Sequence, residues 1–285
     1  MYNKQCPVCG NDMKKAMQLK FGIYECKKCK LLESDVSNRA GAALENVDES
    51  ARAHALKDLR MFNFNFIINN LLTTHPKAYL EGLEVGCAHG WFVEACRPHK
   101  SISIMGIEPQ KEYMEYLSPD EDVLHGFFPE DLPADKSFDF IIFNDVFEHL
   151  PDVSSILTAC YDFLNRDGLL ILNIPLSSGF IFKMSKLLSR FLGSKKFLNR
   201  LWQFDYVTPH MYYFNKRNLT RLCEKTGFKL ANYHRLDVLR KGSVRSRADL
   251  GNTKMNSLSL LFAEALLPLL KYAPEDCGCF YFRKQ

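Results

Sequence analysis

Long apolar runs are missing from this 285-residue sequence. None reaches the roughly 18 consecutive apolar residues that a membrane-spanning helix needs, and the nearest, Leu258 to Leu270, is interrupted by Glu264 and Pro268. No stable membrane insertion is expected. A basic n-region leading into an apolar stretch is also missing from Met1-Tyr2-Asn3-Lys4-Gln5-Cys6, so a secretory signal is not expected and a cytoplasmic location is. A strong charge of one sign is absent too: the formal net charge is +4, too small a bias to imply nucleic acid by itself. Ten cysteines raise the question of disulfides, but four lie in two Cys-x-x-Cys pairs and most others in apolar surroundings, which suits a reducing compartment.

With 47% hydrophobic and 25% charged residues, the chain can fill one large core and a small appendage. The appendage is expected at residues 1–35, followed by a linker at 36–49 and a catalytic domain at 50–285. Cys6-Pro7-Val8-Cys9 and Cys26-Lys27-Lys28-Cys29 form two knuckles with residues 10–25 between them, a spacing that lets four thiolates converge on one Zn2+. Gly10 allows the backbone to turn toward the metal, and Gln18 to Tyr24 has the composition of a strand joining the knuckles. Lys4, Lys27, Lys28 and Lys30 are placed to offset the charge of a four-thiolate site. So small a fragment has little core, and metal binding, worth about 10 to 16 kcal/mol in zinc-finger peptides, would supply most of its stability. A closed four-sulfur shell predicts structural zinc.

Ser50 to Leu72 predicts an amphipathic helix, with Ala55, Leu59, Phe62, Phe66 and Ile67 at helical spacing, broken by Thr73-Thr74-His75-Pro76. Leu83-Glu84-Val85-Gly86-Cys87-Ala88-His89-Gly90 then follows an apolar run and precedes a helix expected over Trp91 to Arg97. That is the strand, glycine turn and helix of a nucleotide site. Gly86, Ala88 and Gly90 occupy alternate positions, unlike the G-x-G-x-x-G of pyrophosphate binders. Glu84 would repel phosphate but suits a ligand carrying a sulfonium and an ammonium, which points to S-adenosylmethionine. Ser101 to Ile107 reads as the next strand, and Glu108 at its end is placed about twenty residues beyond the turn to accept bonds from ribose hydroxyls.

From about Ala53 to Phe282 the sequence resembles class I S-adenosylmethionine-dependent methyltransferases of the methyltransferase 11/23-like kind. Phe138 to Asp152 looks like their fourth-strand segment and Gly168 to Pro175 like their fifth strand. Pro209-His210-Met211-Tyr212-Tyr213-Phe214 through Gly227-Phe228 resembles the helix and strand that follow, and Cys279 to Arg283 the final antiparallel strand. The resemblance implies an α/β fold: a Rossmann-like, seven-stranded, mostly parallel sheet with helices on both faces, beside the zinc ribbon. It implies a cofactor site of Glu84, Gly86, Cys87, Ala88, Gly90, Glu108, Pro109, Asn144 and Asp145. The loop after the third strand, Gly126, Phe127 and Phe128, would cover the adenine.

Methyl transfer requires the acceptor to be positioned and, for a hydroxyl, deprotonated. Asp145, Glu148 and His149 are expected together at the mouth of the cofactor cleft, with His149 having the suitable pKa and His210 a second histidine facing the cleft. The acid-x-x-acid-His pattern resembles ubiquinone-pathway O-methyltransferases, which implies a metal-assisted version of the chemistry. Against that stands a structural reading, in which Glu148 and His149 buttress the turn before a helix at Asp152.

An insertion at 176–208 mixes Phe180, Phe182, Leu187, Leu188, Phe191, Leu192, Leu198 and Trp202 with Lys183, Lys186, Arg190, Lys195, Lys196 and Arg200. In this class such a segment forms the acceptor lid, and its composition suits an anionic acceptor or contact with a membrane surface. Ribbons joined to such methyltransferases resemble enzymes of surface-polysaccharide and sugar modification. A small-molecule or glycan acceptor, methylated at oxygen, is therefore expected. The alternatives are an RNA methyltransferase that grips nucleic acid with the ribbon, disfavoured because Asn144-Asp145-Val146-Phe147 stands where base-amino enzymes carry Asn-Pro-Pro-aromatic, and a non-catalytic cofactor-binding scaffold. Arg235 to Asn256 reads as an exposed loop.

Overall fold

The computed structural model describes residues 4–36, 49–117, 122–206, 208–240, 264–265, 267–268 and 270–285, and of residues 49–55 the backbone alone. At the N-terminus, β1 (Met13–Gln18), β2 (Gly22–Cys26) and β3 (Leu32–Ser34) pair antiparallel. The expected strand over Gln18 to Tyr24 is thus two strand ends around a turn. The chain reverses there because Leu19 N–H donates to Phe21 O at 2.9 Å and Gly22 N–H to the Asp35 carboxylate at 2.7 Å.

Helix α1 (Glu49–Thr74) stops where the Thr-Thr-His-Pro sequence predicts. Its buried face carries Leu59, Phe64, Ile67, Ile68 and Leu71, whereas Phe62 and Phe66, expected on that face, are exposed. Ala55 lies outside the described side chains. The chain continues through β4 (Leu80–Val85), α2 (Trp91–Cys96), β5 (Ile102–Glu108), β6 (Val123–His125), β7 (Phe138–Asn144), α3 (Val153–Phe163) and β8 (Leu164–Pro175). It then forms α4 (Phe180–Leu192), α5 (Lys196–Leu201), β9 (Tyr212–Tyr213), α6 (Lys216–Glu224), β10 (Phe228–Arg235) and β11 (Cys277–Lys284).

Seven strands make one sheet in the order β10-β11-β8-β7-β4-β5-β6, with β4 to β8 parallel and β11 antiparallel to both its neighbours. A parallel sheet covered on both faces needs apolar residues on both, which is why β7 is buried throughout. Alternate residues feed two cores. Phe140, Ile142, Leu169 and Ile171 pack against α1 and α2, while Ile141, Phe143, Leu170 and Leu172 face α3 and α6. Helix α3 begins where Asp152 accepts bonds from Ser154 N–H and Ser155 N–H, and α6 where Asn215 and Asn218 form a reciprocal cap.

The ribbon shares the second of these cores, through Val8, Ile23, Leu31 and Leu32. It also shares a sheet with the larger domain, since β3 pairs with β9 at Leu32–Tyr213 and Glu33–Tyr212. Of the loop expected after β10, residues 241–256 lie outside the described residues, and Leu236 at its start is buried.

Candidate active site

The sheet's strand order reverses between β4 and β7, and the carboxyl ends of these neighbours form the crevice in which open α/β sheets bind ligands. After β4 the backbone turns left-handed at Gly86 (φ 71°), Ala88 (φ 45°) and Gly90 (φ 68°) before α2 starts. Gly86 is required: a Cβ there would lie 2.8 Å from Val146 Cγ2. A partly open recess results, lined among others by Arg60, Glu84, Gly86, Cys87, Ala88 and Asn144.

Glu84 is 2% exposed and accepts a 2.9 Å bond from Asn144 Nδ2, and Asn173 Nδ2 donates in turn to Asn144 Oδ1 at 3.3 Å. Burial is the main reason the Glu84 carboxyl is pushed up to about 8. Glu108, at the end of β5, accepts from Ala88 N–H and Gln110 N–H, each at 2.9 Å, and so clamps the glycine turn to the second strand; burial raises its pKa too. Pro109 is half-buried between these two anchors. The Cys87 side chain fills the space above Gly106.

Beyond β6, Gly126 N–H donates to Glu108 O at 3.1 Å, and Phe127 beside it is 54% exposed. Phe128, expected near the same ligand, turns instead into the core against Phe143 and Phe163. A ring cluster that the sequence reading missed stands at the recess: His89 stacks on Trp91 with centroids 4.7 Å apart and touches Tyr113 and Tyr116.

Asp145, Glu148 and His149, expected together, differ in burial and in partners. Asp145 (φ 55°) is half-exposed and pairs with Arg60 Nη2 at 3.2 Å. Glu148, on a 3-10 turn over Phe147–His149, is 1% exposed, and His210 arrives beside it from the segment before β9. His210 Nε2 lies 3.8 Å from Glu148 Oε1, and the His149 and His210 rings meet edge to face at 4.6 Å. His149 Nδ1 lies 3.0 Å from Pro209 O; donation to that carbonyl places the basic lone pair on Nε2. Burial and the neighbouring His149 hold the His210 pKa well below its usual value, and burial with Asp145 nearby holds that of Glu148 well above. Both Glu148 oxygens and both His210 nitrogens lack a hydrogen-bond partner among the described residues. One ligand atom each from Glu148, His149 and His210 falls within 4.8 Å of the others, a two-imidazole, one-carboxylate set that fits a divalent cation.

The four N-terminal sulfurs also lie within 4.8 Å of one another, with Cys6–Cys29 and Cys9–Cys26 at 3.4 Å. Tetrahedral zinc with bonds of about 2.3 Å would separate its sulfurs by about 3.8 Å, so this cluster fits the metal. The knuckles share one backbone form, with Gly10 and Lys30, each four residues beyond its first cysteine, left-handed at φ 70° and 64°.

A sheet in this strand order, with a glycine turn and a buried acid at its switch point, defines a Rossmann-like enzyme that binds a nucleoside-bearing cofactor. A family profile described as a methyltransferase domain matches residues 41–233; the chain belongs to this family and is an S-adenosylmethionine-dependent methyltransferase. No curated protein matches its sequence. Among solved structures, a SAM-dependent methyltransferase from Thermotoga maritima is 18% identical with a TM-score of 0.53, over 84% of this chain and 95% of that one. The plantazolicin methyltransferase BpumL, solved with SAH, is 12% identical with a TM-score of 0.53, over 83% and 90%. The cyclopropane synthase MmaA2 from Mycobacterium tuberculosis is 15% identical with a TM-score of 0.50, over 76% and 84%. At these identities the likeness is one of fold.

Besides the ring cluster, two further contributors to the site were not foreseen. Arg60 lies on α1, far from any motif. Asn173 did leave a signal, as a lone amide in the apolar run Leu169 to Ile174.

Proposed function

We propose that the protein transfers a methyl group from S-adenosylmethionine to a hydroxyl of a small-molecule or glycan acceptor. The observation that carries this reading is Glu84, a buried carboxyl lining a recess that Arg60 also lines. The methionine end of the cofactor has an ammonium for Glu84 and a carboxylate for Arg60. Glu108 takes the ribose hydroxyls with the lone pairs that its two backbone bonds leave, and Gly86, Cys87, Ala88, Gly90 and Asn144 shape the turn around the ligand. Pro109 and Phe127 border the adenine side, and Asp145 holds Arg60 in place. Bound there, the cofactor supplies a methyl carbon activated by a positive sulfur. His149 takes the acceptor's proton on Nε2, while Glu148 and the neutral His210 position it.

A second reading of the acceptor side rests on the unpartnered atoms of Glu148 and His210. These two residues and His149 would hold a divalent cation, whose charge would lower the pKa of an acceptor hydroxyl. Cys6, Cys9, Cys26 and Cys29 hold a structural Zn2+. RNA is disfavoured as the acceptor because Asn144-Asp145-Val146-Phe147 stands where base-amino enzymes carry Asn-Pro-Pro-aromatic, and three of the ribbon's lysines are paired within it, Lys4 with Glu33 and Lys27 and Lys30 with Glu25.

The test joins binding and transfer. Isothermal titration of zinc-loaded protein with S-adenosylhomocysteine is expected to show saturable binding that Glu108→Ala weakens. Labelled S-adenosylmethionine with a panel of nucleotide sugars and glycans is expected to yield an O-methyl product. His149→Ala should slow formation of that product by about 10²- to 10⁴-fold with S-adenosylhomocysteine affinity retained. A folded protein that binds no S-adenosylhomocysteine, or a product methylated at carbon or nitrogen, would overturn the corresponding half.

A further inference from the structure

Helix α4 meets the core on one side and is apolar on the other. Phe182 and Ser185 face inward, with the Phe182 ring 4.6 Å from that of Tyr213. On the other side Phe180, Met184, Leu187, Leu188, Phe191 and Leu192 are all exposed, Phe191 by 75% and Leu192 by 72%. Their spacing of i, i+4, i+7, i+8, i+11 and i+12 puts them in one stripe along the helix. Isolated apolar residues at a surface need no explanation, but a continuous stripe marks an interaction site. The stripe ends at Gly193, a left-handed cap (φ 67°), and Phe197 on α5 follows at 58% exposure.

Charge identifies what the stripe meets. Lys183, Lys186 and Arg190 follow one another at i, i+3 and i+7 along one flank, and Lys195, Lys196 and Arg200 lie just beyond the cap; all six are exposed. No Asp or Glu occurs between Leu176 and Phe204. We infer that the outer face of α4 docks on an anionic lipid bilayer. The helix, about 20 Å long, lies in the plane of the interface. Its apolar stripe sits at the acyl boundary and its cations among the headgroup phosphates.

A second copy of this chain would face six cations with six cations, and protein interfaces are depleted in lysine. Both facts favour lipid over a protein partner. Tyr213, beneath the helix, meets the His210 ring at 5.2 Å, so docking brings the Glu148–His149–His210 end of the molecule toward the bilayer. The inference does not depend on the methyl acceptor, and its test reads binding rather than activity.

The full chain is floated with vesicles of equal parts phosphatidylcholine and phosphatidylglycerol, and with phosphatidylcholine alone. Binding to the anionic vesicles is expected to exceed that to the neutral ones at least tenfold, and to fall about fivefold for each charge removed in Lys186→Ala and Arg190→Ala. Leu187→Glu with Phe191→Glu should abolish it with Tm unchanged, since both side chains are exposed. Absence of binding to anionic vesicles, equal binding to both kinds, or retention by the double Glu variant would overturn the inference. So would a concentration-dependent dimer that the double Glu variant disperses, which would assign the stripe to a second copy.

Discussion

Ser34 Oγ donates a hydrogen bond to the His210 carbonyl at 3.0 Å, and Ser34 N–H another to Met211 O at 2.9 Å. Met211 N–H in turn donates to Glu148 O at 2.9 Å. The cysteine ribbon is thereby bonded to the backbone that presents Glu148 and His210, and Asn215 and Asn218 Nδ2 both donate to Cys29 O.

Metal removal tests that linkage. If zinc holds the ribbon together, chelation withdraws about 10 to 16 kcal/mol from its folding. Hydrogen exchange is expected to lose protection at Tyr212 and Tyr213 along with the ribbon, while Phe140 and Ile142 in the central sheet stay protected. Methyl transfer should fall with S-adenosylhomocysteine affinity largely kept. Unchanged turnover in metal-free protein would mean that the ribbon does not position His210.

Glu84 predicts a proton linkage. With its carboxyl pushed up from 4.5 to about 8 by burial, the ligand-free protein holds a proton there at neutral pH. An ammonium placed beside it expels that proton. S-Adenosylhomocysteine affinity should therefore rise as pH climbs toward 8, and titration in buffers of different ionisation enthalpy should report proton release that Glu84→Gln removes. The sign for stability follows from the same shift. The unfolded chain gives up this proton near 4.5 and the folded one near 8, so the contribution is full below 4.5 and is lost as pH rises between the two.

Arg60→Ala separates the two ends of the cofactor. Loss of a charge-assisted pair costs on the order of 1.5–3 kcal/mol, so S-adenosylhomocysteine should bind about tenfold to a hundredfold more weakly. Adenosine, which lacks the carboxylate, should bind as before. Equal weakening of both ligands would place Arg60 elsewhere in the site.

Divalent cations address Glu148 and His210. If the set binds metal, Mn2+ or Zn2+ added to protein whose ribbon is already loaded should raise Tm by mass action, and His210→Ala should remove the increment. No increment in wild-type protein would leave His149 working as a metal-free base.

Much of the nucleotide half was legible because its signals are local. A glycine turn needs glycines at fixed positions, as Gly86 against Val146 shows, and a strand buried on both faces is written as a continuous apolar run such as Phe138 to Phe143. Glu108 was legible as the acid that closes the strand read over Ser101 to Ile107. The acceptor half was only partly legible. Asp145, Glu148 and His149 are neighbours in sequence, yet the left-handed backbone at Asp145 and the 3-10 turn after it send Asp145 to Arg60 and bury Glu148 beside His210.

The sequence by itself determined the α/β class, the four-cysteine cluster, the glycine turn and the break after α1, since each depends on residue type and short-range spacing. The tertiary structure alone decided that the ribbon joins the larger domain through β3 and β9, that Arg60 reaches the recess, and that α4 turns an apolar stripe outward. These relations join residues far apart in the chain, or depend on which face of one helix meets the core. Local propensity is blind to both, because only the packing of the whole chain ranks the alternatives.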